Sequence, residues 1–196
     1  QNALTFNHDI SDWDMSHGLT FRSMFQGAQA FNPLPKYKLP AVPSFYMNSE
    51  RGTDFGHMFD GAKAFSPDVF DIVVPKGTDF EYMFANTPLF NPTVLFNMAD
   101  LIKGSDFSYM FQKAEKFNGD ITDWDMSHAT TFSHMFDGAK DFNQDLSKWS
   151  FNTRSVTDFS HMFEGAAHFN YNLGTWDVGM GTHFGSMFKG AIAFEG

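Results

Sequence analysis

The sequence predicts an α/β repeat fold, a right-handed solenoid with one short strand and one short helix per unit. Three observations carry that expectation. The signature Phe-x-x-Met-Phe returns seven times, and its Met residues, from Met24 to Met187, are spaced 34, 25, 27, 25, 27 and 25 residues apart. Such spacings mark stacked repeats. Within each copy the apolar residues fall at i, i+3, i+4 and i+7, as in Phe132, Met135, Phe136 and Ala139, which is one face of a short helix. A second block, Phe-Asn-x-Asp-Ile-x-x-Trp, follows at Phe6 to Trp13 and Phe117 to Trp124, with Leu for Ile at Phe142 to Trp149 and a looser copy at Phe169 to Trp176. Its large residues suit an extended segment that turns at a polar pair.

Seven helices are expected to start near Thr20, Asp54, Asp79, Asp106, Thr131, Asp158 and His183. Pairs such as Thr53-Asp54, Thr78-Asp79, Ser105-Asp106 and Thr157-Asp158 can accept the unpaired first amides of a helix. Gly27, Gly61, Gly138, Gly165 and Gly190 stand two positions after the second Phe, where a left-handed residue can end it. Helices this short need tertiary support. A unit burying a handful of side chains at about 1.5 to 3 kcal/mol each does not offset an ordering cost of about 1.5 kcal/mol per residue. Stacked neighbours must supply the remaining buried surface. The 26 Phe residues recur in a few columns of the repeat and read as core, not as a cofactor pocket.

Composition narrows the function. A formal charge of −10 disfavours nucleic acid and anionic membrane surfaces as partners. There is no apolar run of spanning length, so no direct membrane insertion is expected of this segment. The absence of Cys removes disulfides, thiol catalysis and thiolate metal sites, and leaves the compartment open. Residues 1–196 read as a single domain of about seven repeats, and its start and finish at equivalent repeat positions suggest a fragment of a longer array.

Residues 120–146, running from Asp120-Ile-Thr-Asp-Trp-Asp-Met-Ser-His through Thr131-Phe-Ser-His-Met-Phe-Asp-Gly-Ala-Lys-Asp-Phe-Asn-Gln-Asp-Leu, resemble the roughly 25-residue repeat of BspA-like bacterial surface proteins. The resemblance covers nearly the whole chain. It implies a leucine-rich-repeat-like solenoid, displayed outside a cell and used for attachment or recognition. Phe stands where the family's first helix position usually has Met, and the Trp block is missing between residues 33 and 106.

Two features are candidates for binding a protein or glycan partner. The first is a Pro-rich insertion at 33–53, in which Lys36, Tyr37, Lys38, Phe45, Tyr46 and Arg51 set aromatic and basic groups on a stiff loop in an acidic protein. A tolerated insertion packing over one edge explains it equally well. The second is the position before each Met, where five consecutive repeats carry His57, Tyr82, Tyr109, His134 and His161. Rings in this column should touch their neighbours and join apolar area to a polar tip, which also suits residues that merely cover the core edge. His134 and His161 have no third ligand fixed by spacing, so no metal or cofactor is assigned. The Asp clusters at Asp9, Asp12, Asp14 and Asp120, Asp123, Asp125 read as turn closers rather than a calcium loop. The column Asn7, Asn32, Asn91, Asn118, Asn143 and Asn170 reads as an amide ladder satisfying backbone groups. No nucleophile elbow, phosphate loop or zinc-hydrolase motif is present. The leading expectation is a non-enzymatic, extracellular or cell-surface recognition module, with a passive spacer second and an enzyme a distant third.

Overall fold

Backbone hydrogen bonding in the Phe-x-x-Met-Phe block shows how the chain folds. In the second copy the Met58 amide donates to the Phe55 carbonyl at 3.2 Å, Asp60 to His57 at 3.1 Å and Ala62 to Phe59 at 2.9 Å, each closing a four-residue β-turn. The intervening amides point along the stack: Phe55, His57, Phe59 and Gly61 donate to the carbonyls of Asp79, Glu81, Met83 and Ala85 at 2.8 to 2.9 Å. Half of the backbone bonds therefore fold the repeat and half join it to the next one.

This computed structural model describes residues 2–33, 44–93, 95–97, 104–149 and 155–195, and no α-helix occurs among them. The expected helices at Thr20, Asp54, Asp79, Asp106, Thr131, Asp158 and His183 are absent, and the helix-and-strand solenoid of leucine-rich type is not the fold. Those seven residues instead pair in sequence order by parallel bridges, Thr20 with Asp54, Asp54 with Asp79, and so on to Asp158 with His183. The reason lies in the backbone. Ser23, His57, Tyr82, Tyr109, His134, His161 and Ser186 all have φ between 53° and 59°, a left-handed conformation that an α-helix cannot contain. A second left-handed residue follows four positions on, Gly in five copies and Asn86 or Lys113 in two. Positive φ at the third position of a turn is the type II geometry. Two such turns in succession place apolar side chains at i, i+3, i+4 and i+7, the same offsets as a helix face.

The polar residues ahead of the block serve turns, not helix caps. Asp54, Asp79, Asp106 and Asp158 each accept, through Oδ1, the amide two residues on, at 2.8 to 3.1 Å. At the next bend the Asn column forms the expected ladder. Asn7 Oδ1 accepts the Asn32 amide, Asn91 that of Asn118, Asn118 that of Asn143 and Asn143 that of Asn170, at 2.8 to 3.0 Å.

Inside this frame the Phe residues form ladders. Within a rung, meaning one repeat layer, the second Phe of the block stacks on the Phe six residues later, as in Phe111 on Phe117 and Phe136 on Phe142, both at 3.9 Å. Between rungs the same rings repeat at wider spacing, Phe84 to Phe111 at 5.4 Å and Phe111 to Phe136 at 5.7 Å. Nearly all these rings are fully buried in one continuous core.

Where the Trp block is missing, a three-stranded parallel sheet takes its place, with β1 at Ser44–Asn48, β2 at Val69–Val73 and β3 at Leu95–Asn97 in that order. Phe45 on β1 pairs in register with Phe70 on β2, and their rings stack at 5.5 Å. They meet the ladder edge-on, Phe45 to Phe59 at 5.0 Å and Phe70 to Phe84 at 5.3 Å. In the later rungs Trp149 and Trp176 close the same side of the core. Their indole N–H groups donate to the carbonyls of Ile121 and Leu146 in the preceding rung, at 2.8 and 3.0 Å. Residues 44–48, assigned from sequence to the Pro-rich insertion, are thus part of the sheet.

Candidate functional site

The left-handed residue of the first turn projects its side chain beside the stack, so identical backbone in successive rungs brings these side chains into line. His57 stacks on Tyr82 at 4.5 Å, Tyr82 on Tyr109 at 4.3 Å, Tyr109 on His134 at 4.5 Å and His134 on His161 at 4.2 Å, with interplanar angles of 10° or less. The five rings form one column whose outer edges are half exposed. Each histidine is oriented by an acid three residues on. His57 Nδ1 meets Asp60 and His134 Nδ1 meets Asp137, both at 3.0 Å, and His161 Nδ1 meets Glu164. His57 Nε2 lies 3.7 Å from Glu81 Oε1. Burial, together with the adjacent Tyr109, pushes the Tyr82 phenol up to about 12.

Carboxylates line both sides of the column. On one side run Asp60, Asp137 and Glu164, which also take side-chain bonds from neighbouring rungs. Gln26 and Asn86 donate to Asp60 at 3.1 and 2.9 Å, Gln112 donates to Asp137 at 2.9 Å, and Lys189 donates to Glu164 at 2.6 Å. Hydrogen bonds from His161 and Lys189 hold Glu164 below the usual carboxylate range. On the other side run Asp54, Asp79, Asp106 and Asp158, the bridge residues.

Between the bridge column and the ring column stands the residue after the first Phe of each block: Arg22, Gly56, Glu81, Ser108, Ser133, Ser160 and Gly185. Ser133 and Ser160 touch through their hydroxyls at 3.0 Å. Arg22 lies along the first part of this column, over Gly56 and reaching Glu81. Its Nε donates to both Asp54 oxygens at 3.0 and 3.1 Å, one terminal nitrogen to Asp79 at 2.6 Å and the other to Glu81 at 2.7 Å. Gly56 makes room for it, since a Cβ there would fall 2.7 Å from the guanidinium carbon. Asp79 is pulled both ways. Burial raises its pKa, while the Glu81 amide and Arg22 lower it, and burial prevails.

The residues anticipated from sequence divide sharply. The ring column is assembled as expected. Lys36, Tyr37 and Lys38 lie outside the described residues. Phe45 is 2 % exposed and belongs to the core, which removes it from the contact surface, while Tyr46 is half-buried on β1 and Arg51 is exposed. In the Asp clusters, Asp9, Asp14, Asp120 and Asp125 each accept the amide two residues on, at 2.8 to 3.0 Å. Bonds from the hydroxyls of Ser16, Thr122 and Ser127, and then these amide bonds, hold Asp14, Asp120 and Asp125 below the usual carboxylate range. No group of three or more His, Asp or Glu with metal-binding geometry occurs among the described residues. No helix there is long and apolar enough to cross a membrane. An apolar cavity of about 260 Å³ lies at the first rung, beside Phe6, Trp13, Met24 and Phe25. Sequence reading missed the ion pairs of Arg22 with Asp54, Asp79 and Glu81, although Arg22 and Glu81 are the only charged residues in this column.

The family description "Mycoplasma protein of unknown function, DUF285" matches residues 1–47, 45–103 and 95–196, and the chain belongs to this repeat-containing family. No curated protein and no solved structure matches it.

Proposed function

We propose that this member of the DUF285 family is a non-enzymatic recognition module of a cell-surface protein, binding a protein or glycan partner across the ring column and its acidic rims. The supporting observation is the column itself. Five rings from five rungs are held parallel, with their apolar faces satisfied by one another and each residue half exposed. A surface ordered before binding loses little side-chain freedom on contact, and Tyr edges are favoured where a partner excludes water. The likeness of the repeat to BspA-like surface proteins supports an extracellular location.

The test is a screen of the 196-residue chain against immobilised glycans and surface proteins, repeated with Tyr109→Ala/His134→Ala. A partner using the column loses about 30-fold in affinity, the size of one hot-spot contact. A partner bound equally by the variant rules out the column, and the absence of any partner favours a spacer.

A further inference from the structure

We infer that Tyr82 and Tyr109 are a site of oxidative modification, joined as dityrosine by a carbon–carbon bond when hydrogen peroxide, acting through a haem peroxidase, supplies the oxidising equivalents. The bond alters the ring column itself and requires no binding partner.

Stacking selects this pair. The two rings come from adjacent rungs and lie 4.3 Å apart with an interplanar angle of 6°. Both residues hold the same left-handed turn position, at φ 53° and 58°, so the side chains leave the backbone in the same direction and like atoms of the two rings come next to one another. The other face of Tyr82 is covered by His57 and that of Tyr109 by His134, each at 4.5 Å. A radical formed on either phenol therefore meets its like only across the shared face, and the imidazoles keep a second chain off the other two faces. Both residues are half exposed, which leaves their edges open to the oxidant. Among the described residues this is the one stacked pair of tyrosines. The chain has no Cys, so no thiol of its own intercepts a phenoxyl radical.

Each phenol gives up one electron and its hydroxyl proton to become a phenoxyl radical, whose unpaired electron is shared with the ring carbons ortho to oxygen. Tyr82, pushed up to about 12 by burial and the adjacent Tyr109, is a neutral phenol near pH 7, so its proton leaves with the electron. Two such radicals combine through one ortho carbon each, and the hydrogen on each of those carbons moves to the oxygen of its own ring, restoring both hydroxyls. Two electrons and two protons have then left the pair, and one hydrogen peroxide takes them up to become two waters. Reactants already held face to face need no bimolecular encounter, and the remaining gap closes by pivoting of two half-exposed side chains. The new bond ties the third rung to the fourth and, as any cross-link does, restricts the unfolded chain.

The experiment treats the chain, at low concentration, with a haem peroxidase and hydrogen peroxide, and reads dityrosine fluorescence, gel mobility and the masses of proteolytic peptides. The expected product is a monomer lighter by two hydrogen atoms, in which the peptides containing Tyr82 and Tyr109 are linked. Methionine oxidation adds oxygen and is told apart by its gain in mass. Tyr82→Phe and Tyr109→Phe keep a stacking ring and are each expected to lose the link, with folding checked by thermal unfolding. Tyr37→Phe/Tyr46→Phe/Tyr171→Phe retains only the stacked pair and is expected to keep the full yield. Dityrosine confined to dimers, a link between other tyrosines, or an undiminished yield in Tyr82→Phe overturns the inference. So does a pair left unlinked under conditions that oxidise Tyr171, which is 39 % exposed. None of these results bears on the partner screen, which reads affinity and not oxidation.

Discussion

Replacing Ser23 separates a turn from a helix by the sign of a stability difference. Ser23 sits at φ 59°, its side chain makes no hydrogen bond among the described residues, and it occupies the same backbone position as the five rings. An L-residue held there pays about 1 to 2 kcal/mol because its Cβ crowds the following carbonyl. Glycine escapes that cost but loses about 0.5 to 1 kcal/mol more chain entropy on folding. In the turn, Ser23→Gly is therefore more stable than Ser23→Ala by roughly 0.5 to 1 kcal/mol. In a helix the order reverses, with Ala ahead of Gly by about 1 kcal/mol. Equilibrium unfolding in urea, followed by tryptophan fluorescence, measures both variants against the parent. For a chain of this length, 1 kcal/mol moves the melting midpoint by about 2 to 4 °C, so a thermal scan serves as a second readout. If Ser23→Ala proves the more stable of the two, the left-handed turn is wrong and the block is helical.

Other expectations follow from the ladders. Phe136→Ala removes a fully buried ring stacked on Phe111, Phe142 and Phe163 and should cost about 3 to 5 kcal/mol. Phe194→Ala, at a half-buried end ring stacked on Phe169 and Phe188, should cost much less, and equal midpoints in urea would contradict the stacking. Asn118→Ala takes the acceptor from the Asn143 amide and from Gln144, a loss of about 1 to 2 kcal/mol by the same assay, with Asn118→Asp retaining most of it. Stability should hold as pH falls toward the usual carboxylate range and drop below about 3.8, because Asp120 and Asp125 have lowered pKa values in the folded state and lose their turn bonds when protonated. Asp79 works in the opposite sense: its raised pKa contributes stability below the ordinary value that is lost as pH rises through the folded one. Unfolding free energies from pH 7 to 3 decide the sign, and Asp120→Asn/Asp125→Asn should flatten the acid limb.

The sequence by itself determined the repeat length, the order of stacking, the core membership of the Phe columns, the Asn ladder, the Asp-closed turns and the ring column. Each depends only on equivalent residues recurring at equivalent positions, which stacking must bring into line whatever the local backbone. The backbone itself was not legible. A helix and a pair of type II turns place Phe55, Met58, Phe59 and Ala62 on the same side, and they differ in φ at His57 and Gly61 and in where the amides point. Periodicity carries no information about that choice, and the Thr-Asp pairs suit a helix cap and a two-residue Asp turn alike. The tertiary structure decided it. Donation to the next rung satisfies half of each block's amides, and that option exists only once a neighbour is stacked. The same dependence hid the sheet around Phe45, whose burial requires Phe70 beside it, and the hold of Arg22 on Asp54, Asp79 and Glu81, residues 32 to 59 positions away in the chain.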